Sequence, residues 1–152
     1  MRAILGIISI LIAAMCLAGC CSSTSSSTTS AQDSGLSVSQ IKTSAIEVPY
    51  DQLFRENEKY VGKIVHIRGE IDQAVESGGR YVFRIATEES EYVGYLGDIV
   101  WVNYQGDRYI EEDVVDVWGR VVGLKKYEGV LGNEITIPEI NSLHIELVGH
   151  AK

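Results

Sequence analysis

Two stretches of this chain repeat one pattern of apolar residues, and glycine occupies the same place in both. They are Lys63–Ile71 and Asp113–Val121, with apolar side chains at matched positions and Gly69 or Gly119 seventh in each. Alternation with a period of two predicts a half-buried β-strand. Glycine inside a strand weakens it and usually marks a bulge or a sharp bend. Small closed barrels need long strands that coil in this way, so the repeat limits the possible folds strongly.

The segments around these two also alternate, which makes the region all-β. A short helix is predicted over Pro49–Asn57, with Asp51 as its cap. Then follow strands at Val65–Asp72, Tyr81–Ala86, Ile99–Tyr104 and Val115–Val121, a loop at Glu88–Glu91, turns at Ser77–Gly79 and Gln105–Asp107, and final strands at Glu134–Pro138 and Leu143–Val148. The sequence therefore predicts a five-stranded OB-like barrel preceded by a short helix, with a small open sandwich as the alternative.

The glycine and valine pattern also resembles a known family. The resemblance covers residues 47–148, and the residues that carry it are Tyr60–Gly69, Asp113–Gly119 and Thr136–Pro138. The family consists of small OB-fold domains, similar to the tRNA-anticodon-binding OB domain, in lipoproteins and other exported proteins of Gram-positive bacteria and some archaea. The resemblance implies binding of a ligand or partner, not catalysis.

The family pattern places a helix between the third and fourth barrel strands, and this chain leaves little room for one. Only Gln105–Glu112 separates the strands there. The helix before the first strand is therefore expected to plug the barrel with Leu53 and Phe54.

The amino-terminal segment predicts export and a lipid anchor. An almost wholly apolar run, Ala3–Met15, follows Arg2 and is too short to span a bilayer, as in a signal peptide. The next residues, Leu17–Cys20, resemble the lipobox of bacterial lipoproteins. That resemblance implies cleavage before Cys20 and a diacylglyceryl thioether on its thiol. The alternatives are an uncleaved anchor, an ordinary secretory signal, or modification of Cys21.

Composition divides the chain into three parts: a signal peptide at 1–19, a lipidated Ser/Thr-rich tether at 20–45 and the OB-like domain at 46–152. Residues 22–30 are all serine or threonine, and a segment without apolar side chains is predicted to stay disordered. The three cysteines, Cys16, Cys20 and Cys21, all lie in or beside the signal. The domain therefore has no disulfide, thiolate metal site or cysteine nucleophile.

The domain is acidic, and this argues against nucleic acid as a partner. The chain has a formal net charge of -8, and residues 46–152 hold 20 Asp and Glu against 11 Lys and Arg. A phosphate-tracking groove needs several cations on one face. The predicted partners are instead the membrane, through the lipid anchor, and an unidentified envelope ligand or protein.

No motif in the domain predicts catalysis, a cofactor or a metal. His66, His144 and His150 share no ligand spacing, and are expected at the surface or at a strand edge. The acidic residues Glu88–Glu91 with Asp98 lack the calcium-loop pattern, so a solvated loop is the simpler interpretation. Nucleophilic serine and nucleotide-binding motifs are missing from the sequence. The chain is therefore predicted not to be an enzyme, although a carboxylate pair acting on a glycan stays an alternative.

Outward-facing aromatic and basic residues form the predicted ligand site. OB-folds bind ligands across their second and third strands, between the first–second and fourth–fifth loops. The candidates are Arg80, Arg84, Trp101, Asn103, Trp118 and Tyr127, with Lys125 and Lys126 beside Tyr127 in the fourth–fifth loop. An indole face suits a sugar ring, a base or an apolar side chain. The alternative for Trp101 and Trp118 is simple packing under the amino-terminal helix.

Together these features predict an exported lipoprotein, anchored to the outer face of the cell membrane, or in the outer membrane of a Gram-negative host. Its OB-like domain is predicted to act as a binding module. The alternatives are an envelope enzyme acting on a glycan and a nucleic-acid-binding OB domain.

Overall fold

The computed structural model describes residues 35–92 and 94–151. The predicted signal peptide, the lipobox and most of the predicted tether lie outside these residues. The elements in chain order are helix α1 (Val38–Ser44), strand β1 (Ile46–Glu47), helix α2 (Tyr50–Arg55), a 3-10 turn (Asn57–Lys59), and strands β2 (Ile64–Ser77), β3 (Arg80–Ser90), β4 (Gly94–Tyr104), β5 (Asp113–Glu128) and β6 (Glu134–His150). No helix in this described part is long and apolar enough to cross a membrane.

Five long strands close into a barrel. Strand β2 pairs antiparallel with both β3 and β5, β3 pairs with β4, and β5 pairs with β6. The circle closes through a short parallel pairing of β4 with β6, in which Trp101 lies opposite Glu139. Strands β2 to β6 form the predicted five-stranded OB-like barrel, so the predicted fold is confirmed, with its short helix ahead of β2. The two predicted final strands, Glu134–Pro138 and Leu143–Val148, are parts of the single strand β6.

The two matched sequence segments pair with each other. In the β2–β5 ladder the opposite pairs are Ile67 with Val117, Gly69 with Val115, and Val65 with Gly119. Each glycine thus lies opposite the matched valine of the other segment, so an approximate twofold axis relates the two segments. The ladder between β5 and β6 shifts register at Gly119, which confirms the predicted irregularity there. Glycine is also needed at both positions because neighbouring strands come close: an added Cβ would lie 2.2 Å from the carbonyl oxygen of Ala86 at Gly69 and 2.4 Å from Ile140 Cγ2 at Gly119.

The barrel interior is filled by branched aliphatic side chains and one phenylalanine. Its fully buried residues include Leu53, Val65, Ile71, Phe83, Ile85, Val100, Val102, Val115, Val117, Val121 and Ile140. Leu53 of α2 belongs to this cluster with 1% of its surface exposed, as expected for the plug, whereas Phe54 is half-buried and stacks on Tyr50. In the β4–β5 connection, Tyr109 packs against Phe83 and donates a hydrogen bond to the carbonyl oxygen of Ile145.

Helix α2 begins differently from the prediction. Its N-cap is Pro49, which has no side-chain cap, and Asp51 lies one position inside the first turn. There the Asp51 carboxylate accepts a hydrogen bond from Arg55 Nε at 3.3 Å. Proline sets an extended backbone ahead of the helix, so the chain enters α2 without a capping side chain.

Several strands run further than alternation alone indicated. The predicted loop at Glu88–Glu91 is wrong over most of its length, because Glu88 and Glu89 pair with Leu96 and Tyr95 inside the β3–β4 hairpin. Likewise, Lys125, Lys126 and Tyr127 belong to β5, paired with β6, and not to a loop. Charged residues tolerate exposed strand positions, so composition alone could not distinguish these hairpin ends from loops.

Among the described residues, regular structure is present before the predicted domain boundary at Ile46. Ser37 and Gln40 form a capping box that begins α1: Gln40 N donates to Ser37 Oγ and Ser37 N donates to Gln40 Oε1. Ile41 buries the inner face of α1 against Ile64 and Trp118. A helix this short is marginal by itself, so its contact with the barrel is what stabilises it.

Candidate ligand-binding face

Strands β3 and β4 present a cationic and aromatic cluster on the outside of the barrel. Arg84 lies opposite Trp101 in the β3–β4 ladder. Tyr127, from β5, lies over both: its ring centroid is 5.5 Å from that of Trp101, and the Arg84 guanidinium is 5.6 Å from the Tyr127 ring. Three of the predicted site residues, from three strands, are therefore in mutual contact.

Asn103 extends this cluster towards β6. Trp101 Nε1 donates to Asn103 Oδ1 at 3.0 Å, and Asn103 Nδ2 donates to Glu139 Oε1 and to Asn141 Oδ1, both at 2.9 Å. The amide is thereby held in one orientation across the β4–β6 pairing.

Lys125, which the sequence predicts only as a neighbour of Tyr127, lies within the cluster. Its ammonium is 5.3 Å from the Trp101 ring centroid and 3.6 Å from Glu139 Oε1. A cation over an indole face is attracted by the ring quadrupole. The signal in the sequence was the spacing of two between Lys125 and Tyr127, which puts both side chains on one face of a strand.

Two residues of strand β2, Gln73 and Asp72, hold the Arg84 guanidinium in place. Its Nη1 donates to Gln73 Oε1 at 3.3 Å, and its Nη2 lies 3.8 Å from Asp72 Oδ2. The Nε of Arg84 is buried and has no hydrogen-bond partner among the described residues. The guanidinium thus keeps donor capacity beyond its present contacts.

Arg80 lies at the edge of this region, next to the Gly78–Gly79 turn. Both glycines have positive φ, 60° and 76°, which glycine adopts without strain. The Arg80 side chain lines one groove together with Asn103 and Asn141, so it joins the cluster through Asn103. We call the set Arg84, Trp101, Asn103, Lys125 and Tyr127 the cluster face.

Trp118 does not belong to the cluster face. Only 8% of its surface is exposed, because Ile41 and Ile64 pack on it. At this point of β5, Trp118 lies opposite His66 of β2 and His144 of β6, whereas the residue of β5 that reaches the cluster face is Tyr127, nine residues further on. The predicted ligand contact of Trp118 is therefore corrected: Trp118 is a packing residue, and the helix that covers it is α1, which lies ahead of the helix that the sequence predicted.

Two histidines flank Trp118, each beside a carboxylate. The His66 ring stacks on the indole at 4.7 Å and lies 3.0 Å from Asp116 Oδ1, while His144 lies 5.6 Å from the indole and 3.0 Å from Glu146. Arg68 binds Asp116 with two hydrogen bonds of 2.8 and 2.6 Å, and this lowers the pKa of Asp116 below its ordinary value. The described residues contain no group of three or more side chains able to hold a metal ion.

The strand order and the closure of the barrel define the domain as an OB-like β-barrel. No protein-family model matches the chain, and no curated protein matches it. Among solved structures, it is similar to an aspartyl-tRNA synthetase from Entamoeba histolytica, at 14% identity and a TM-score of 0.47, over 78% of this chain and 24% of the synthetase. It is also similar to an OBody, NL8, bound to hen egg-white lysozyme, at 22% identity and a TM-score of 0.38, over 59% of this chain and 99% of the OBody.

Proposed function

We propose that this protein is a lipid-anchored extracytoplasmic lipoprotein whose OB-like domain is a binding module for an envelope ligand or protein partner. The anchor half of the proposal rests on the lipobox-like Leu17–Cys20 sequence. The binding half rests on the cluster face. One observation carries it: Arg84 from β3, Trp101 and Asn103 from β4, and Tyr127 from β5 are joined by ring and hydrogen-bond contacts.

The side chains of the cluster face are suited to recognition. Aromatic rings with cations beside them offer apolar area and directed donors together, as ligand sites usually do. Trp101, Asn103, Lys125 and Tyr127 are all half-buried, so they are held in place while part of each stays accessible. Such a preorganised surface loses less side-chain entropy on binding.

The charged groups favour binding over catalysis. The carboxylates nearest the cluster face, Asp72 and Glu139, lie 3.8 Å and 3.6 Å from the cations Arg84 and Lys125. Each carboxylate thus has an ion-pair role that explains its presence. The excess of acidic residues in the domain also argues against a polyanion such as nucleic acid.

The test uses Trp101 as the reporter. In the full chain, purified in neutral detergent with Trp118→Phe, Trp101 is the only tryptophan. A soluble glycan or peptide is expected to shift its emission, and Tyr127→Ala is expected to remove that response. The control is Tyr92→Ala, at a tyrosine 92% exposed in the β3–β4 turn, and it should leave the response unchanged.

Two results would count against the proposal. One is ligand binding that survives Tyr127→Ala, because the cluster face would then not be the site. The other is a response to single-stranded oligonucleotide alone, with an affinity that falls steeply as salt rises, which would favour the nucleic-acid alternative.

A further inference from the structure

A groove adjoins the cluster face, and its lining differs from the rest of the acidic domain. It has a volume of about 510 Å³ and runs between the end of β4 and the neighbouring residues of β3 and β6. We call it the Arg80 groove; its lining residues are Arg80, Tyr81, Val82, Asn103, Tyr104, Gln105, Asn141 and Ser142. Asn103 belongs to both the groove and the cluster face, so the two surfaces are continuous.

Arg80 is the only charged residue in that lining, and no carboxylate shares the groove. The side chain is exposed and makes no ion pair with any residue that the structure describes. Most other cations near the barrel are already engaged, as Arg68 is by Asp116 and Lys126 by Glu134. A guanidinium without a carboxylate partner is open to bidentate pairing with a carboxylate or phosphate of a ligand.

Apart from Val82, the remaining lining consists of amides, hydroxyls and tyrosine rings. Asn103 is saturated by Trp101, Glu139 and Asn141, so it acts as a fixed support. The amide of Gln105 and the hydroxyl of Tyr81 have no hydrogen-bond partner among the described residues. Amides and hydroxyls both donate and accept, which matches the mixed donor and acceptor character of ligand hydroxyl groups.

We propose that the Arg80 groove binds a hydroxyl-rich chain, a glycan or polyol, whose carboxylate or phosphate group pairs with Arg80. This inference rests on the proposed binding function of the cluster face, and it names the ligand class. The bound glycan or polyol lies along the amides and tyrosines of the groove, and its anionic group pairs with the Arg80 guanidinium. Its next unit passes Asn103, which belongs to both surfaces, and contacts Trp101.

The experiment measures binding of three probes to the full chain in neutral detergent by calorimetry. The probes are maltotetraose, which is neutral, maltotetraonic acid, which carries one carboxylate, and maltotetraose monophosphate, which carries one phosphate group. At least one anionic probe is expected to bind about tenfold more tightly than maltotetraose, which is typical for one hydrogen-bonded charge pair. The two anionic arms distinguish a carboxylated from a phosphorylated ligand.

Arg80→Gln is expected to abolish this preference and leave any binding of the neutral probe unchanged. Arg108→Gln is the matched control, since Arg108 is also exposed and without an ion pair among the described residues, but lines a different groove. Both variants are at exposed side chains, so both should keep the thermal stability of the parent.

Three outcomes would overturn the inference. In the first, the anionic probes bind no better than the neutral one. In the second, Arg80→Gln keeps the preference or Arg108→Gln removes it. In the third, no probe binds although a peptide still shifts Trp101 emission, which overturns this inference and leaves the proposed binding function standing. If no ligand of any class reaches Trp101, both fail together.

Discussion

The ring of His66 lies flat against the indole of Trp118, with the centroids 4.7 Å apart and the planes at 14°. Helix α1 also covers the indole, with the Lys42 ammonium 4.4 Å from the ring centroid and 2.7 Å from Glu146 Oε1. The two tryptophans of the chain thus have separate roles, because Trp118 packs α1 onto β5 while Trp101 stays in the half-exposed cluster face.

This difference predicts unequal effects of truncation. Trp118→Ala removes a buried ring and should lower the free energy of unfolding by about 3–5 kcal/mol. Trp101→Ala removes a half-buried ring on the barrel surface and should cost about 1–2 kcal/mol. Urea unfolding followed by circular dichroism measures both. Equal losses would show that Trp101 contributes to the core as much as Trp118 does.

The strand glycines predict a second contrast. An added Cβ at Gly69 would lie 2.2 Å from Ala86 O, and at Gly119 it would lie 2.4 Å from Ile140 Cγ2. Gly69→Ala and Gly119→Ala should therefore lower stability by about 3 kcal/mol or prevent folding, as overpacking does. Gly149→Ala is the control, since nothing lies within 4 Å of its added Cβ. The melting temperatures of the three variants test this prediction. If Gly69→Ala melts at the same temperature as Gly149→Ala, the close approach of Gly69 to Ala86 is contradicted.

Asp116 predicts how stability depends on pH. Arg68 holds the folded-state pKa of Asp116 below its ordinary value of 3.8, and the His66 hydrogen bond adds to this. Since the folded pKa is depressed, the stabilisation is complete well above pH 3.8 and is lost as pH falls through that value towards the folded pKa. Asp116→Asn should cost about 1–3 kcal/mol at neutral pH and flatten the acid limb of the stability curve.

The matched control for Asp116 is Asp107→Asn, at an exposed residue of the β4–β5 connection. Its stability curve should follow that of the parent chain in urea titrations between pH 2 and pH 7. An Asp116→Asn curve with an unchanged acid limb would mean that the Arg68 pair does not contribute to stability.

The lipid anchor is tested by labelling cells with radioactive palmitate. Cys20→Ser should abolish labelling and release the protein from the membrane fraction, because the thiol that receives the lipid is gone. Cys21→Ser is the control and should be labelled as the parent is. If Cys20→Ser is labelled and Cys21→Ser is not, the lipid belongs on Cys21; if the parent chain itself is not labelled, the anchor proposal is wrong.

Much of the candidate site could be anticipated from local patterning. Alternation in β3 and β4 puts Arg84, Trp101 and Asn103 on the outward side, and all three lie there. The sequence predicts Tyr127 in a loop, whereas in the structure it reaches the same face from strand β5. Trp118 has the same outward direction by alternation, but α1 covers it. Alternation distinguishes inside from outside in a barrel, and it carries no information on what a distant segment covers.

By itself, the sequence determined the strand periodicity, the matched glycines and the acidic balance, because each follows from the residue types and their order without knowledge of which segments meet. It therefore predicted an OB-like barrel preceded by a helix. Only the tertiary structure decided that the matched segments Lys63–Ile71 and Asp113–Val121 pair with each other, that α1 packs on Trp118, and that Tyr127 meets Arg84 and Trp101. These contacts join residues far apart in sequence, and they follow from the closure and twist of the whole sheet, which no local pattern specifies.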